Sequence, residues 1–349
     1  MDTPETLIQE FVPLAPLTTM RTGGQARYFA RVTSIANLHR VVLFAKEKSL
    51  PLFVLGGGSN VLVSDEGFPG LVLKIEICSI AYEEQGAHVC VVSGAGEAWD
   101  DLARDAISRS LWGVENLSLV PGTVGGAVVQ NIGAYGAEVS EVVAWVEVFD
   151  RETGETKIIS RAACAFGYRT SIFKTHPYLI VTRVALLLAR QGSPRTNYED
   201  VQKYFNERHI SEPTLGDIRS AIVAIRTAKL PPPEFGTAGS FFKNPVVGKE
   251  IFDELVKKFP EIKSYPGGDD GAVKLSAAWI LDHVGGWKGI RQGNVGVYGN
   301  QALVLVNYGG ARTNEILALA DAMKKDTEEK TGVHLEEEVV TMSVAMPSK

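Results

Sequence analysis

Residues 119–136, LVPGTVGGAVVQNIGAYG, constrain this chain more than any other stretch. Five of the eighteen are glycine (Gly122, Gly125, Gly126, Gly133 and Gly136), and none is charged. A glycine lacks Cβ, so it adopts positive φ and lets a ligand or another chain touch the backbone. Successive exposed N–H groups can then form a concave anion site without any lysine. A second cluster, LGGGSNVLVSD at 55–65, follows a short apolar run and has the same character. By itself, each stretch is more often a tight connection than a phosphate site. Together they suggest a long anionic ligand, such as a dinucleotide, held at both ends. Neither matches the G-x-G-x-x-G or P-loop spacing. Gly94-Ala95-Gly96 comes near, but Trp99 occupies the third glycine position. A nucleotide bound here needs some other scaffold.

The charge balance sharpens this. The 349 residues are 45% hydrophobic and 22% charged, as in a soluble globular protein of two or three domains. A net charge of −6 argues against a nucleic-acid or anionic-membrane surface. An anionic ligand must therefore be met by local donors. Cys78, Cys90 and Cys164 are odd in number, far apart and form no CxxC pair, which fits a reducing compartment. Residues 1–24 lack the basic-then-apolar layout of a signal peptide. The most apolar run, 178–189, is interrupted by Arg183 and too short to span a bilayer. The expectation is a cytoplasmic monomer with no membrane or nucleic-acid partner.

Periodicity predicts an α+β chain. ARYFARV (26–32) alternates like a strand, and Ser34 reads as the N-cap of a helix carrying Ile35, Leu38, Val42 and Ala45 on one face. LFVLG (52–56) and LVLKI (71–75) read as buried strands, the first running into GGGSN. HVCVVSG (88–94) is a strand, followed by a helix from about 97 to 109. VAWVEVFD, ETKIIS and YLIVTRVALLLA read as consecutive strands. A helix at 217–230 stops at Pro231, Pro232 and Pro233, the clearest domain boundary. Beyond it come helical segments at 249–260 and 274–286, a strand at 302–307 and a long helix at 314–331 with Gly332 as its C-cap. HLEEEVVTM closes the chain as a strand.

Several residues outside the glycine stretches can carry chemistry. In FGYRTSIFK (166–174), Arg169 offers a planar fork suited to a carboxylate or phosphate, although structural ion pairs use the same fork. Arg226 and Lys229 lie at the domain boundary, where ligand clefts tend to sit. In GSFFKNP (239–245), Ser240 has no histidine nearby in sequence to act as its base. His39, His88, His176, His209, His283 and His334 form no spaced pair, so neither a Ser-His hydrolase nor a histidine-held metal is expected. Ser240 is left as a hydrogen-bond or proton donor. On a strand, Glu336 and Glu338 share one face and Glu337 takes the other.

Taken in order, GGGSN, PGTVGGAVVQNIGAYG, GYRTS, RTAKLP, GSFFKNP and the terminal LEEEV resemble the UDP-N-acetylenolpyruvoylglucosamine reductase (MurB) family, flavoenzymes of peptidoglycan precursor synthesis. The resemblance runs from about 18 to 339. It implies a vanillyl-alcohol-oxidase-like FAD-binding fold of two subdomains, at 1–75 and 76–228, with an α+β substrate domain at 229–338. The segment 339–349 is expected to rejoin the first subdomain. It implies noncovalent FAD at Gly56, Gly57, Gly58, Ser59 and Asn60, and at Pro121, Gly122, Thr123, Gly125, Gly126, Asn131, Gly133, Ala134 and Tyr135. NADPH is the implied reductant, and the substrate is the enolpyruvyl ether of UDP-N-acetylglucosamine. Arg169 and Glu338 match the residues that stabilise the enolate, and Ser240 matches the proton donor to C2. Tyr198, Lys229, Asn244 and Gln301 match substrate-holding positions, and Tyr168 is placed with them. TNYEDV around Tyr198 resembles the subtype with a loop closing over substrate.

One departure bears on the site. The family commonly ends in Leu-Glu-Pro-Glu-Val, whereas Glu337 stands here in place of the proline. The register of the three glutamates is open by two residues, with Glu336 as the alternative to Glu338. Two other functions are weighed: an FAD-linked alcohol oxidase of the same fold, and a flavin- or nucleotide-binding module without catalysis. The first commonly ties its flavin to histidine or cysteine, and neither glycine stretch has one. The second leaves Arg169, Ser240 and Glu338 idle.

Overall fold

A computed structural model of the chain describes residues 7–268 and 271–342. Two compact units emerge. One comprises residues 1–12, 26–58 and 69–228, and the other 13–25, 59–68 and 229–349. Of the terminal segments assigned from sequence, 1–6 and 343–349 lie outside the described residues.

The first unit holds two sheets. Strands β1 (Ile8–Pro13), β2 (Gln25–Val32), β3 (Leu52–Leu55) and β4 (Phe68–Ile75) form a sheet in the order β1-β2-β4-β3. β3 and β4 run parallel, joined in register from Leu52 with Leu71 to Leu55 with Lys74. Helix α1 (Ile35–Glu47) begins where Ser34 accepts the Asn37 N–H, and it buries Leu38, Val41, Val42 and Ala45. The second sheet is antiparallel. Its strands are β5 (Ile80–Gln85), β6 (His88–Gly94), β7 (Val143–Asp150), β8 (Glu155–Ser160) and β9 (Leu179–Ala189), in the order β8-β7-β9-β6-β5. Helix α2 (Trp99–Ser108) buries Trp99, Leu102, Ala103 and Ala106. These faces share one core with Leu71, Val91, Val146 and Leu186.

Helix α3 (Val124–Gln130) lies inside the glycine stretch, where sequence predicts only turns. Two glycines in seven residues oppose a helix, so packing makes it. A Cβ on Gly125 would lie 2.8 Å from the Ala95 Cβ. Thr123 caps its start by accepting from Gly126 N–H, and Asn131 ends it at φ +45°. Helices α4 (Glu199–Glu207) and α5 (Leu215–Lys229) add a smaller cluster of Val201, Phe205, Ile218, Ala221 and Ile222.

The second unit carries helix α6 (Lys249–Lys258) and is built around Phe241, Phe242, Leu305, Ile316, Leu319 and Met323, the last three on α7 (Thr313–Thr331). Strand Val340–Met342 pairs in parallel with Val61–Val63. The helix expected at 274–286 is broken. Val273–Leu275 is a strand, Ala277–Trp279 a single turn, and Ile280–Val284 a π-helical turn. Lys274 is drawn into a ladder between Val246 and Tyr265, and that pairing outcompetes the local helical period. No helix among the described residues is long and apolar enough to cross a membrane.

Candidate active site

In the first unit, the two glycine stretches meet. A Cβ on Gly57 would fall 2.6 Å from the Gly122 Cα, and one on Gly56 would fall 2.8 Å from Thr123 Oγ1. Gly58 and Gly122 hold φ of +67° and +110°. Lys74 Nζ donates to the Gly56 carbonyl at 3.0 Å. Burial pulls the Lys74 pKa below its ordinary value, against the nearby Glu76. The N–H groups of α3 are spent internally: Val124 on Glu97 O and Gly125 on Ala95 O, each at 2.9 Å, and Gly126 on Thr123 Oγ1. These bonds shape the turn. Pro121 is exposed, and Ser59 opens the second unit's share of GGGSN half-buried.

Leu119, just before Pro121, is left-handed at φ +58°. Asp100 accepts its N–H, and Arg226 Nε donates to its carbonyl at 3.2 Å. Arg219 grips Asp100 through two bonds of 2.7 and 2.9 Å. Burial pushes Asp100 up, but Arg219 and the Leu119 N–H together hold it below the usual carboxylate range. Burial lowers the Arg226 guanidinium, which is hydrogen-bonded to Tyr135, and raises the Tyr135 phenol. Arg226 thus puts a positive charge into a stretch that has none of its own. The Tyr135 and Tyr198 rings pack edge to face at 5.2 Å.

Gly133 and Ala134 pair with Glu138 and Ala137 across a turn at Tyr135 and Gly136. Both turn residues have positive φ, +49° and +83°, which matches the right-handed twist of so tight a hairpin. Arg169 also sits in a two-residue turn, closed by reciprocal Gly167–Thr170 backbone bonds of 3.1 Å. Its φ is +54°, a conformation that costs a non-glycine residue roughly 1–3 kcal/mol. Nη2 donates to Gly133 O at 2.7 Å, and the guanidinium lies 5.3 Å from the Tyr168 ring centre. A Cβ on Gly133 would approach Arg169 Nη1 to 2.8 Å, so that glycine makes room for the arginine. Lys174 Nζ donates to Arg169 O at 3.2 Å.

In the second unit, the segment carrying Ser240 is held on both sides. Ser240 bridges Val304, and Phe241 N–H donates to Leu303 O at 2.8 Å. On the other side, Glu338 N–H donates to Phe241 O at 2.8 Å, and Lys243 N–H to Glu336 O at 2.9 Å. Ser240 is exposed while Phe241 and Phe242 are buried. Glu337 bonds Lys324 at 2.8 Å. Glu336, with 67% of its side chain exposed, bonds Lys243 at 2.8 Å. Glu338 is half-buried, and Asn60 Nδ2 donates to its carbonyl at 3.0 Å. Asn60 O in turn accepts from Val340 N–H, so Asn60 ties GGGSN to the terminal strand. Asn244 Oδ1 accepts from Ala277 N–H at 3.0 Å, Gln301 Oε1 faces Leu303 N–H, and Lys229 ends α5 half-buried.

Sequence reasoning singles out neither Lys74 nor Asp100, nor Glu138 as a partner of the glycine stretch. Lys74 shows one local signal, a charge inside the apolar run LVLKI. The other two are visible only once the turns fold.

Comparison with known proteins agrees with this geometry. Residues 26–160 match an FAD binding domain, and 231–342 match the C-terminal domain of UDP-N-acetylenolpyruvoylglucosamine reductase. Together they define an α+β flavoprotein oxidoreductase with a dedicated C-terminal domain. The UDP-N-acetylenolpyruvoylglucosamine reductase of Pseudomonas aeruginosa is 42% identical over 334 residues, covering 95% of this chain and 98% of that protein. That of Chromobacterium violaceum is 42% identical over 94% of this chain and 96% of its own length. The crystal structure of MurB from Thermus caldophilus superposes with a TM-score of 0.66 at 26% identity, covering 96% of this chain and all of that one. The chain belongs to the UDP-N-acetylenolpyruvoylglucosamine reductase family. It is an FAD-dependent oxidoreductase with NADPH as reductant and a small UDP-sugar substrate. Neither the oxidase nor the binding-module alternative is favoured. The glycine turns suit a ligand that needs close backbone approach: a Cβ at Gly56 or Gly57 would collide with Thr123 or Gly122 and push the two turns apart.

Proposed function

We propose that Arg169, Ser240 and Glu338 carry the reduction of UDP-N-acetylglucosamine enolpyruvate to UDP-N-acetylmuramate. When bound, FAD would supply the hydride chemistry that carries reducing equivalents from NADPH to the terminal methylene carbon of the enolpyruvyl ether. Negative charge then gathers on the substrate carboxylate. Arg169 meets it with a guanidinium whose plane is set by the Nη2 bond to Gly133 O. Glu338 hydrogen-bonds the same charge in its protonated form, which an anionic neighbour favours. Ser240 gives its proton to C2, because an enolate is basic enough to take it.

The observation that supports this reading is the Glu338 N–H bond to the Phe241 carbonyl, which joins the segment carrying Glu338 to the segment carrying Ser240. Glu338 is preferred to Glu336, whose carboxylate is exposed and bonded to Lys243. Tyr168, Tyr198, Lys229, Asn244 and Gln301 hold the substrate. Gly56–Asn60 and 121–135 hold FAD, with Arg226 supplying positive charge for its pyrophosphate. The functional division is 1–75, 76–228 and 229–338. The chain acts as a cytoplasmic monomer without nucleic-acid or membrane partners, in keeping with its net charge of −6.

The test uses purified protein with its flavin. NADPH oxidation is expected to depend on the enolpyruvyl substrate and to yield a product two hydrogens heavier. NADPH consumption that ignores this substrate overturns the reading.

A further inference from the structure

We infer that Glu138 and Asn131 are positioning residues for Arg169: one buried amide ties together the turn that carries the arginine and the hairpin that receives it. Asn131 is fully buried at the end of α3. Its Oδ1 accepts the Ser140 N–H at 3.1 Å. Its Nδ2 donates twice, to Glu138 Oε2 and to Gly167 O, both at 2.9 Å. A carboxamide has two donor hydrogens and an oxygen with two lone pairs, so both donors and one acceptor site are engaged within this unit.

The two partners of Nδ2 are the two ends of Arg169's mount. Gly167 closes the two-residue turn on which Arg169 stands at φ +54°. Glu138 pairs across the hairpin with Gly133, whose carbonyl receives Arg169 Nη2. The Glu138 Cγ lies 3.0 Å from where a Gly133 Cβ would be, so the carboxylate stem also packs under that carbonyl's residue. A left-handed arginine persists only when its surroundings determine it. Without the Glu138 acceptor, the amide can rotate and release the turn, the hairpin or both. The glutamate works as an acceptor for Asn131 and touches no reacting atom. This rests on the reading that Arg169 meets the substrate carboxylate.

The test compares flavin-loaded variants by rapid mixing. Glu138→Ala is expected to slow flavin reoxidation by the enolpyruvyl substrate about 10- to 100-fold, the usual effect of misplacing a group by about 1 Å. Flavin content and reduction by NADPH should stay near wild type. Glu138→Gln should recover to within about threefold, because its amide oxygen accepts the same bond. The double variant Arg169→Lys with Glu138→Ala should be no slower than Arg169→Lys alone, since the second change acts through the first. Should Glu138→Ala not fold, Glu138→Leu fills the space beside Gly133 without an acceptor and must show the same loss. Wild-type reoxidation in the folded variant, a Gln variant as slow as Ala, or additive losses in the double variant each overturn the inference. Wild-type turnover in Arg169→Lys sinks the parent reading instead, so the two failures are distinguishable.

Discussion

Arg169 and Ser240 are mounted in opposite ways. Ser240 sits at an isolated antiparallel bridge to Val304, and its neighbour Phe241 is bonded backbone to backbone to Leu303 and Glu338. Arg169 rides on a two-residue turn in a left-handed conformation, held by side chains: Asn131, Glu138 and Lys174. Backbone-to-backbone bonds are indifferent to which side chain stands there, so such a residue can change without moving the backbone. A strained turn depends on each polar partner. The difference teaches where point substitutions report chemistry alone, and where they report chemistry mixed with geometry.

The most damaging test strikes the glycine turns. Gly57→Val puts a Cβ 2.6 Å from the Gly122 Cα, and Gly125→Val puts one 2.8 Å from the Ala95 Cβ. Both should purify without flavin, read from the visible absorbance per protein. Full occupancy in both shows that neither stretch holds FAD.

On the backbone-bonded segment, Ser240→Ala should leave the fold, the flavin and its reduction by NADPH unchanged. Reoxidation by the enolpyruvyl substrate should slow roughly 10²–10⁴-fold, the range of general acid help. That is about 3–5 kcal/mol of barrier at about 1.36 kcal/mol per tenfold. If both half-reactions slow equally, the serine only shapes the pocket.

Arg169→Lys should cost roughly 10²–10³ in turnover, as for the loss of one electrostatic donor, because a point charge cannot reproduce the fork. The comparison predicts a fall in melting temperature here and none for Ser240→Ala. Equal melting temperatures break it.

A smaller effect is expected at Asp100, which accepts the N–H of left-handed Leu119. Its folded pKa is depressed, so it stabilises the fold above its ordinary value of 3.8 and that contribution fades as pH falls through the depressed value. Asp100→Asn should cost about 1.5–3 kcal/mol at neutral pH and lose that acid-side dependence, followed by denaturant titration at several pH values. An unchanged acid limb shows that other carboxylates set it.

The smallest change is expected at Glu336, the exposed partner of Lys243. Glu336→Gln should keep turnover within about twofold, since surface ion pairs contribute little. Glu338→Gln should lose most of it. The reverse order moves the acid to Glu336.

Local pattern was enough for much of this protein. Ser34 marked the start of α1, Gly332 marked the end of α7 at φ +71°, and the strand read at VAWVEVFD matches β7 residue for residue. Capping and side-chain period depend on neighbours within a turn or two, so a single sequence displays them. The order of the glycine, GYRTS and GSFFKNP motifs likewise disclosed the family and its cofactor, because each motif names a chemical task.

Tertiary structure alone decided the rest. Helix α3 forms in a glycine-rich run because Ala95 packs where Cβ atoms would be, and that contact is 30 residues away in the chain. The same packing consumes the N–H groups of Val124, Gly125 and Gly126 that composition suggested for an anion, leaving Arg226 and Lys74 as the charges near the glycine turns. The triple glutamate is equivocal in sequence. It becomes three distinct carboxylates only when Lys243 and Lys324 claim Glu336 and Glu337. Glu138 and Gly167, 7 and 36 residues away in the chain, converge on the Asn131 amide. A hydrogen-bond partner distant along the chain leaves no trace in local period or propensity, so what these polar side chains do is settled by the fold that brings their partners to them.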